Sequence, residues 1–130
     1  RKVRILLAED NLLDRHLASA FLDKRGDDSV VLEDVADAVD IFEPERFDMI
    51  LMGVRTLKMD VYLDAARAMR EKEKKKVGIR APMVAMIGDT SQAELDRCIA
   101  AGMDDYIPKP FRYDEFLAII ERIVALRVKF

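Results

Sequence analysis

Glu9 and Asp10 follow directly on the apolar run Arg4 to Ala8, and Lys109 follows the segment Asp104-Asp105-Tyr106-Ile107-Pro108. A third apolar segment, Phe47 to Met52, delivers Gly53 at its end. If these segments are strands of one open α/β sheet, two carboxylates and one lysine converge at the strands' carboxyl ends, where such sheets bind ligands. Carboxylate oxygens there suit a magnesium ion, which prefers near-octahedral oxygen donors and keeps several waters. A lysine beside them suits a phosphate. The pattern therefore predicts a phosphate-handling site.

The elements that must hold these residues follow from hydrophobic spacing. Leu12, Leu13, His16, Leu17, Ala20, Phe21 and Leu22 recur with helical period, and Gly26 sits where a helix commonly ends. Ser29 to Val35 is a β-branched run, followed by a short helix through Ala36, Ala38, Val39 and Phe42 that Pro44 helps to end. The stretch Tyr62 to Lys76 is amphipathic through Leu63, Ala66 and Met69, then becomes a run of lysines and glutamates that reads as a solvated helix end. Met83 to Ile87 after Pro82 is a further strand. Gly88-Asp89-Thr90-Ser91 is a turn, and Glu94 stands three residues after Ser91 as in a capping box. A last helix, about Tyr113 to Arg127, carries Phe116, Leu117, Ile120, Ile123 and Val124. Five strands alternating with five helices imply a parallel sheet covered on both faces, because parallel strands need crossover connections.

A chain of 130 residues with 51% hydrophobic content fits one domain that buries roughly two-thirds of its unfolded surface. The formal charge of −3 gives no pull toward DNA, and no apolar run approaches the roughly 20 residues that span a bilayer. The single cysteine, Cys98, excludes an internal disulfide and predicts a reducing, cytoplasmic compartment; it reads as a small residue packed on a helix rather than a redox group. A lone histidine, His16, on a packed helix reads as structural or partly exposed.

The motifs Leu6-Leu7-Ala8-Glu9-Asp10-Asn11, Gly102-Met103-Asp104-Asp105-Tyr106 and Lys109-Pro110-Phe111, in this order, resemble the receiver domain of two-component response regulators and hybrid histidine kinases. The resemblance runs from about Val3 to about Arg127. It implies a flavodoxin-like three-layer α/β/α fold with strand order 2-1-3-4-5 and a cis peptide after Lys109. It also implies that the acidic pair and an aspartate after strand three hold magnesium, that this aspartate accepts a phosphoryl group from a kinase histidine, and that a Thr or Ser ending strand four binds the phosphoryl oxygens.

Here the acceptor position is Gly53 and the hydroxyl position is Ile87, which cannot donate a hydrogen bond. Thr56-Leu57 replace the family's usual Met-Pro, and Val61 stands where the family usually has Gly, so the loop after Gly53 should take another path. The expectation is a degenerate receiver, or pseudo-receiver, spanning 1–130 as part of a larger multidomain signalling protein, a hybrid histidine kinase or a multidomain response regulator. Glu9, Asp10, Gly53, Ile87 and Lys109 form the remnant of the phosphoryl pocket. No cofactor is required, and Glu9 with Asp10 offers only a weak magnesium site.

The domain should act as a non-enzymatic interaction module. Its partner surface is the family's face of helix four, strand five and helix five, including Ala101, Tyr106, Lys109, Arg112 and Tyr113. The partner is a kinase core, an adjacent signalling domain or a second copy. Tyr106 matches the family's switching aromatic, and with Ile87 in place of the hydroxyl it should stay outward. Arg112 and Tyr113 beside Tyr106 would also suit a nucleotide second messenger. Two further readings stand beside this one. In the first, a phospho-accepting receiver uses another carboxylate, with Asp60 the candidate because Asp48 starts its strand far from the pocket. In the second, the fold serves as a small-molecule enzyme, although no nucleophile-base pair or glycine-rich phosphate loop is present.

Overall fold

Met49 to Gly53 and Met83 to Ile87 are apolar or glycine throughout, so these two strands need cover on both faces. The computed structural model, which describes residues 2–76 and 78–128, provides it. Five strands, β1 (Arg4–Ala8), β2 (Asp28–Leu32), β3 (Met49–Val54), β4 (Met83–Ile87) and β5 (Asp105–Pro108), alternate with helices α1 (Leu12–Arg25), α2 (Val35–Ile41), α3 (Met59–Glu73), α4 (Gln92–Ala100) and α5 (Tyr113–Val128). All strand pairs are parallel, in the order β2-β1-β3-β4-β5.

The period of two along each strand splits the core. Leu6, Ile50, Met52, Met83, Ala85 and Ile87 face one way and pack with Ala38, Phe42, Leu63, Ala66, Met69 and Cys98. Ile5, Leu7, Met49, Leu51, Val84 and Met86 face the other way and pack with Ala18, Leu22, Phe116, Ile120 and Ile123. Burial pushes the Cys98 thiol up, away from the reactive thiolate form.

Local capping sets several boundaries. The Asn11 side chain accepts from the Asp14 N–H at 2.9 Å and starts α1, and Gly26 ends it with φ 89°, a left-handed conformation that glycine adopts without strain. Asp34 accepts from the Ala36 N–H at 2.8 Å, so Val35 opens α2 instead of closing β2. Lys72 lies half-buried and donates to the carbonyls of Val39, Asp40 and Phe42, closing the C-terminal end of α2. It is therefore not simply part of a solvated run.

Other expectations need correction. Leu12 and Leu13 are 62% and 68% exposed, and His16 and Ala20 are exposed as well, because α1 buries Ala18 together with the expected Leu22. α3 begins at Met59, directly after a 3-10 turn at Thr56–Lys58, so Val61 sits in a helical first turn where its branching is tolerated. Ser91 occupies the position before α4 but its side chain makes no capping bond; its N–H donates to Asp89 Oδ1 at 3.0 Å. Glu94 pairs with Arg97 at 3.4 Å rather than closing a capping box. Gly53 lies near the carboxyl end of β3, paired with Met86, one residue before the strand ends at Val54.

Candidate functional site

β1 and β3 are neighbours in the sheet, and their carboxyl ends bring Glu9 and Gly53 together. The Glu9 N–H donates to the Leu32 carbonyl at 3.0 Å, which holds its backbone in line with β1 and directs the side chain across the strand ends. The residue is 1% exposed. A Cβ placed on Gly53 would lie 2.2 Å from Glu9 Oε1, 2.3 Å from Cδ and 2.6 Å from Oε2. The Glu9 carboxylate thus fills the space that a side chain at position 53 would need.

Burying a carboxylate is costly unless a partner compensates it. Lys109 is that partner. Its backbone N–H donates to the Ile87 carbonyl at 2.9 Å, the Lys109–Pro110 peptide is cis, and its Nζ lies 2.6 Å from Glu9 Oε1 and 3.0 Å from Asp14 Oδ2. Glu9 Oε2 accepts from the Asn11 N–H at 3.1 Å.

Asp10 forms a second centre. Its Oδ2 accepts from Arg55 Nη1 at 3.1 Å and from the Tyr62 hydroxyl at 3.3 Å, while its Oδ1 is buried without a hydrogen-bond partner. Burial first, and then the Asp10 charge, push the Tyr62 phenol up to about 12. The hydrogen bond to Asp10 raises the Arg55 guanidinium further above its already high value. An open cleft of about 330 Å³ beside these groups is lined by Asp10, Asn11, Leu12, Asp14, Arg55 and Lys109.

For a divalent cation this donor set leaves one open carboxylate oxygen, Asp10 Oδ1, which is buried without a hydrogen-bond partner. Glu9 is closed off by Lys109 and Asn11, Asp10 has one oxygen already shared by a guanidinium and a phenol, and Gly53 has no side chain. Among the described residues, no three His, Cys, Asp or Glu side chains stand together as metal ligands.

The remaining sequence candidates are dispersed. Ile87 ends β4 beside Val54 and Pro108, and its side chain is fully buried in the core on the α2, α3 and α4 side. Tyr106 is 37% exposed on β5, and Arg112 is exposed beside Asp114. Ala101 is 4% exposed in the same core as Ile87, so it shapes the surface from below and cannot touch a partner. The Tyr113 ring packs edge-on against Phe21 at 5.0 Å and under Lys24 Nζ at 4.4 Å, on the α1 side; this placement removes it from an aromatic cluster with Tyr106. The Asp60 carboxylate is exposed and pairs with Arg97 at 3.2 Å. Asp48 accepts from the Arg4 N–H at 2.9 Å, at the amino-terminal end of the strands, away from Glu9 and Gly53.

Sequence reasoning missed Arg55, Tyr62 and Asp14. Arg55 and Tyr62 flank the 3-10 turn at Thr56–Lys58, and both donate to Asp10 Oδ2 across a connection whose path local spacing does not specify. Asp14 carried a usable signal, since a first-turn residue of a helix capped at Asn11 must lie beside Asp10.

Residues 5–121 match the family described as the response regulator receiver domain. The protein named Probable histidine kinase 6 of Oryza sativa subsp. japonica is 32% identical across 92% of this chain, and the chain spans 14% of that kinase's length. A solved receiver domain of a sensor histidine kinase from Pseudomonas aeruginosa PAO1, with a magnesium ion coordinated in its active-site cleft, is 31% identical with a TM-score of 0.81 over 96% of this chain and 99% of that one. The Vibrio cholerae chemotaxis protein CheY4, at 22% identity and a TM-score of 0.82 over 95% of this chain and 99% of that one, shares the fold.

Proposed function

The chain belongs to the response regulator receiver domain family, and from that membership we propose that it serves two-component signalling as a receiver that works without aspartyl phosphorylation. The observation that carries this reading is the Glu9 carboxylate lying in the volume above Gly53 and paired with Lys109. Phosphoryl transfer needs a nucleophilic oxygen with open, in-line access. Gly53 offers no oxygen, and Glu9 is buried, with Oε1 in ion-pair contact with Lys109 although it makes no hydrogen bond, and Oε2 accepting from the Asn11 N–H. The apolar Ile87 adds no donor for phosphoryl oxygens. Asp60 is held by Arg97 and Asp48 by Arg4, so neither substitutes.

On this reading the domain is a regulatory module of a hybrid histidine kinase or multidomain response regulator, and magnesium is at most a weak visitor. It docks a kinase core or adjacent signalling domain through the exposed parts of β5 and the start of α5, with Tyr106 and Arg112 as contacts. Incubating the chain with acetyl phosphate and magnesium and reading its intact mass tests the first half: no phosphoryl adduct is expected, and a stoichiometric adduct overturns it. Titrating a kinase core while following the Tyr106 and Arg112 amides tests the second half. Shifts there support docking, and binding that leaves both amides unmoved overturns the assigned face.

A further inference from the structure

We infer that the Arg55 guanidinium is the permanent cation of this site, standing where a receiver of this family would recruit a divalent metal. The inference deepens the reading just given, and rests on it for the identity of the site.

Three observations carry it. Asp10 is the one carboxylate of the Glu9, Asp10 and Asp14 group not held by Lys109 or a backbone N–H, and its Oδ2 is taken by Arg55 at 3.1 Å and Tyr62 at 3.3 Å. Arg55 leaves the end of β3 with extended backbone, φ −97° and ψ 118°, so its side chain starts at the strand edge beside Asp10 instead of being carried off by α3. The charges also balance closely, since three carboxylates face the two cations Arg55 and Lys109. A divalent ion added to that set would bring the site into positive excess.

The arrangement has a structural consequence. Arg55 and Tyr62 flank the 3-10 turn at Thr56–Lys58, and both fasten to Asp10. The connection between β3 and α3 is thereby tied to the end of β1 from within the chain. A metal-dependent receiver would need the ion to make this link; here the geometry of the turn is independent of magnesium.

The pair is partly solvent-exposed, 52% at Arg55 and 28% at Asp10, so its hold on Asp10 is moderate and removable. The test is a magnesium titration of the 130-residue chain followed by amide NMR, in the wild type, Arg55→Gln, Arg55→Lys and Arg55→Gln/Asp10→Asn. Removing a positive charge a few ångströms from a divalent ion should tighten magnesium binding at least about tenfold in Arg55→Gln. The shifts should centre on Asp10, Asn11 and residues 54–58. Arg55→Lys, which keeps the charge, should stay near the wild type, and the double variant should lose the gain.

Equal magnesium affinity in the wild type and Arg55→Gln overturns the assignment, as does a gain that survives Asp10→Asn. Folding is read from the same spectra, and Arg55→Lys keeps the comparison open if the neutral variant loses its dispersed amides: tight magnesium binding by the wild type or by Arg55→Lys would also overturn it. A beryllofluoride response in the wild type would instead sink the phosphorylation-independent reading, so the two failures are distinguishable.

Discussion

Gly53→Ala should destabilise the chain although alanine suits a strand better than glycine. The backbone at Gly53 is not among the positive-φ glycines, so alanine fits its conformation, and such a substitution ordinarily stabilises by about 0.4–1 kcal/mol through the unfolded state. The new methyl carbon, however, would stand 2.2 Å from Glu9 Oε1, far inside contact distance, so the carboxylate must move. Moving it breaks the 2.6 Å contact with Lys109 and the 3.1 Å bond from the Asn11 N–H. A hydrogen bond to a charged group is worth about 1.5–3 kcal/mol, and part is recovered when the displaced carboxylate reaches the adjoining cleft and water. The net expectation is a loss of about 1–2 kcal/mol, which for a domain of this size lowers the melting temperature by about 3–8 °C.

In a Glu9→Ala background the same substitution meets no carboxylate and should be neutral or stabilising by up to about 1 kcal/mol. Urea unfolding of the wild type, both single variants and the double variant gives the coupling energy, expected at about 2 kcal/mol. Equal effects of Gly53→Ala in the two backgrounds would refute the claim that Glu9 fills this space.

Two further outcomes follow, one at the site and one at the end of α2. The Tyr62 phenol is raised from 10.0 to about 12 in the folded state, so the unfolded chain releases its proton first; its contribution to stability is complete below pH 10 and is lost as pH rises toward about 12. Urea unfolding across that window should show a drop in the wild type that is smaller in Tyr62→Phe, and identical profiles would contradict the assigned shift. Lys72→Ala removes the cation that closes α2 and should cost about 1–2 kcal/mol, whereas Lys75→Ala, on the exposed end of the same run, should stay within about 0.5 kcal/mol. Equal urea midpoints for the two variants would refute the capping role.

The legible parts of the fold were those where burial is continuous. Arg4–Ala8 and Met83–Ile87 form strands with the bounds their apolar runs predict, because each is bracketed by charge, proline or glycine. Boundaries blurred where two signals compete. The Ser29 to Val35 run hid Asp34, whose capping bond hands Val35 to α2, and α3 starts at Met59 without a side-chain cap to announce it. The stripe of α1 is right at Phe21 and Leu22, which pack in the core, and wrong at Leu12 and Leu13, which are exposed while the smaller Ala18 is buried.

At the site, the proximity of Glu9, Asp10 and Lys109 follows from strand order. The use of Gly53 does not, since a glycine in a sequence reads as a missing group and not as room for a neighbour's carboxylate. Arg55 and Tyr62 were hidden for a different reason: their contact with Asp10 depends on the path of a connecting turn, which local spacing does not specify.

The most direct test of the phosphorylation-independent reading is an amide NMR spectrum of the chain before and after magnesium with beryllofluoride, which mimics an aspartyl phosphate. With Glu9 seated over Gly53 and paired to Lys109, the spectrum should change no more than with magnesium alone. Large shifts at Asp10, Ile87, Tyr106 and Lys109 would mean that a carboxylate still accepts the phosphoryl mimic, and would contradict the account.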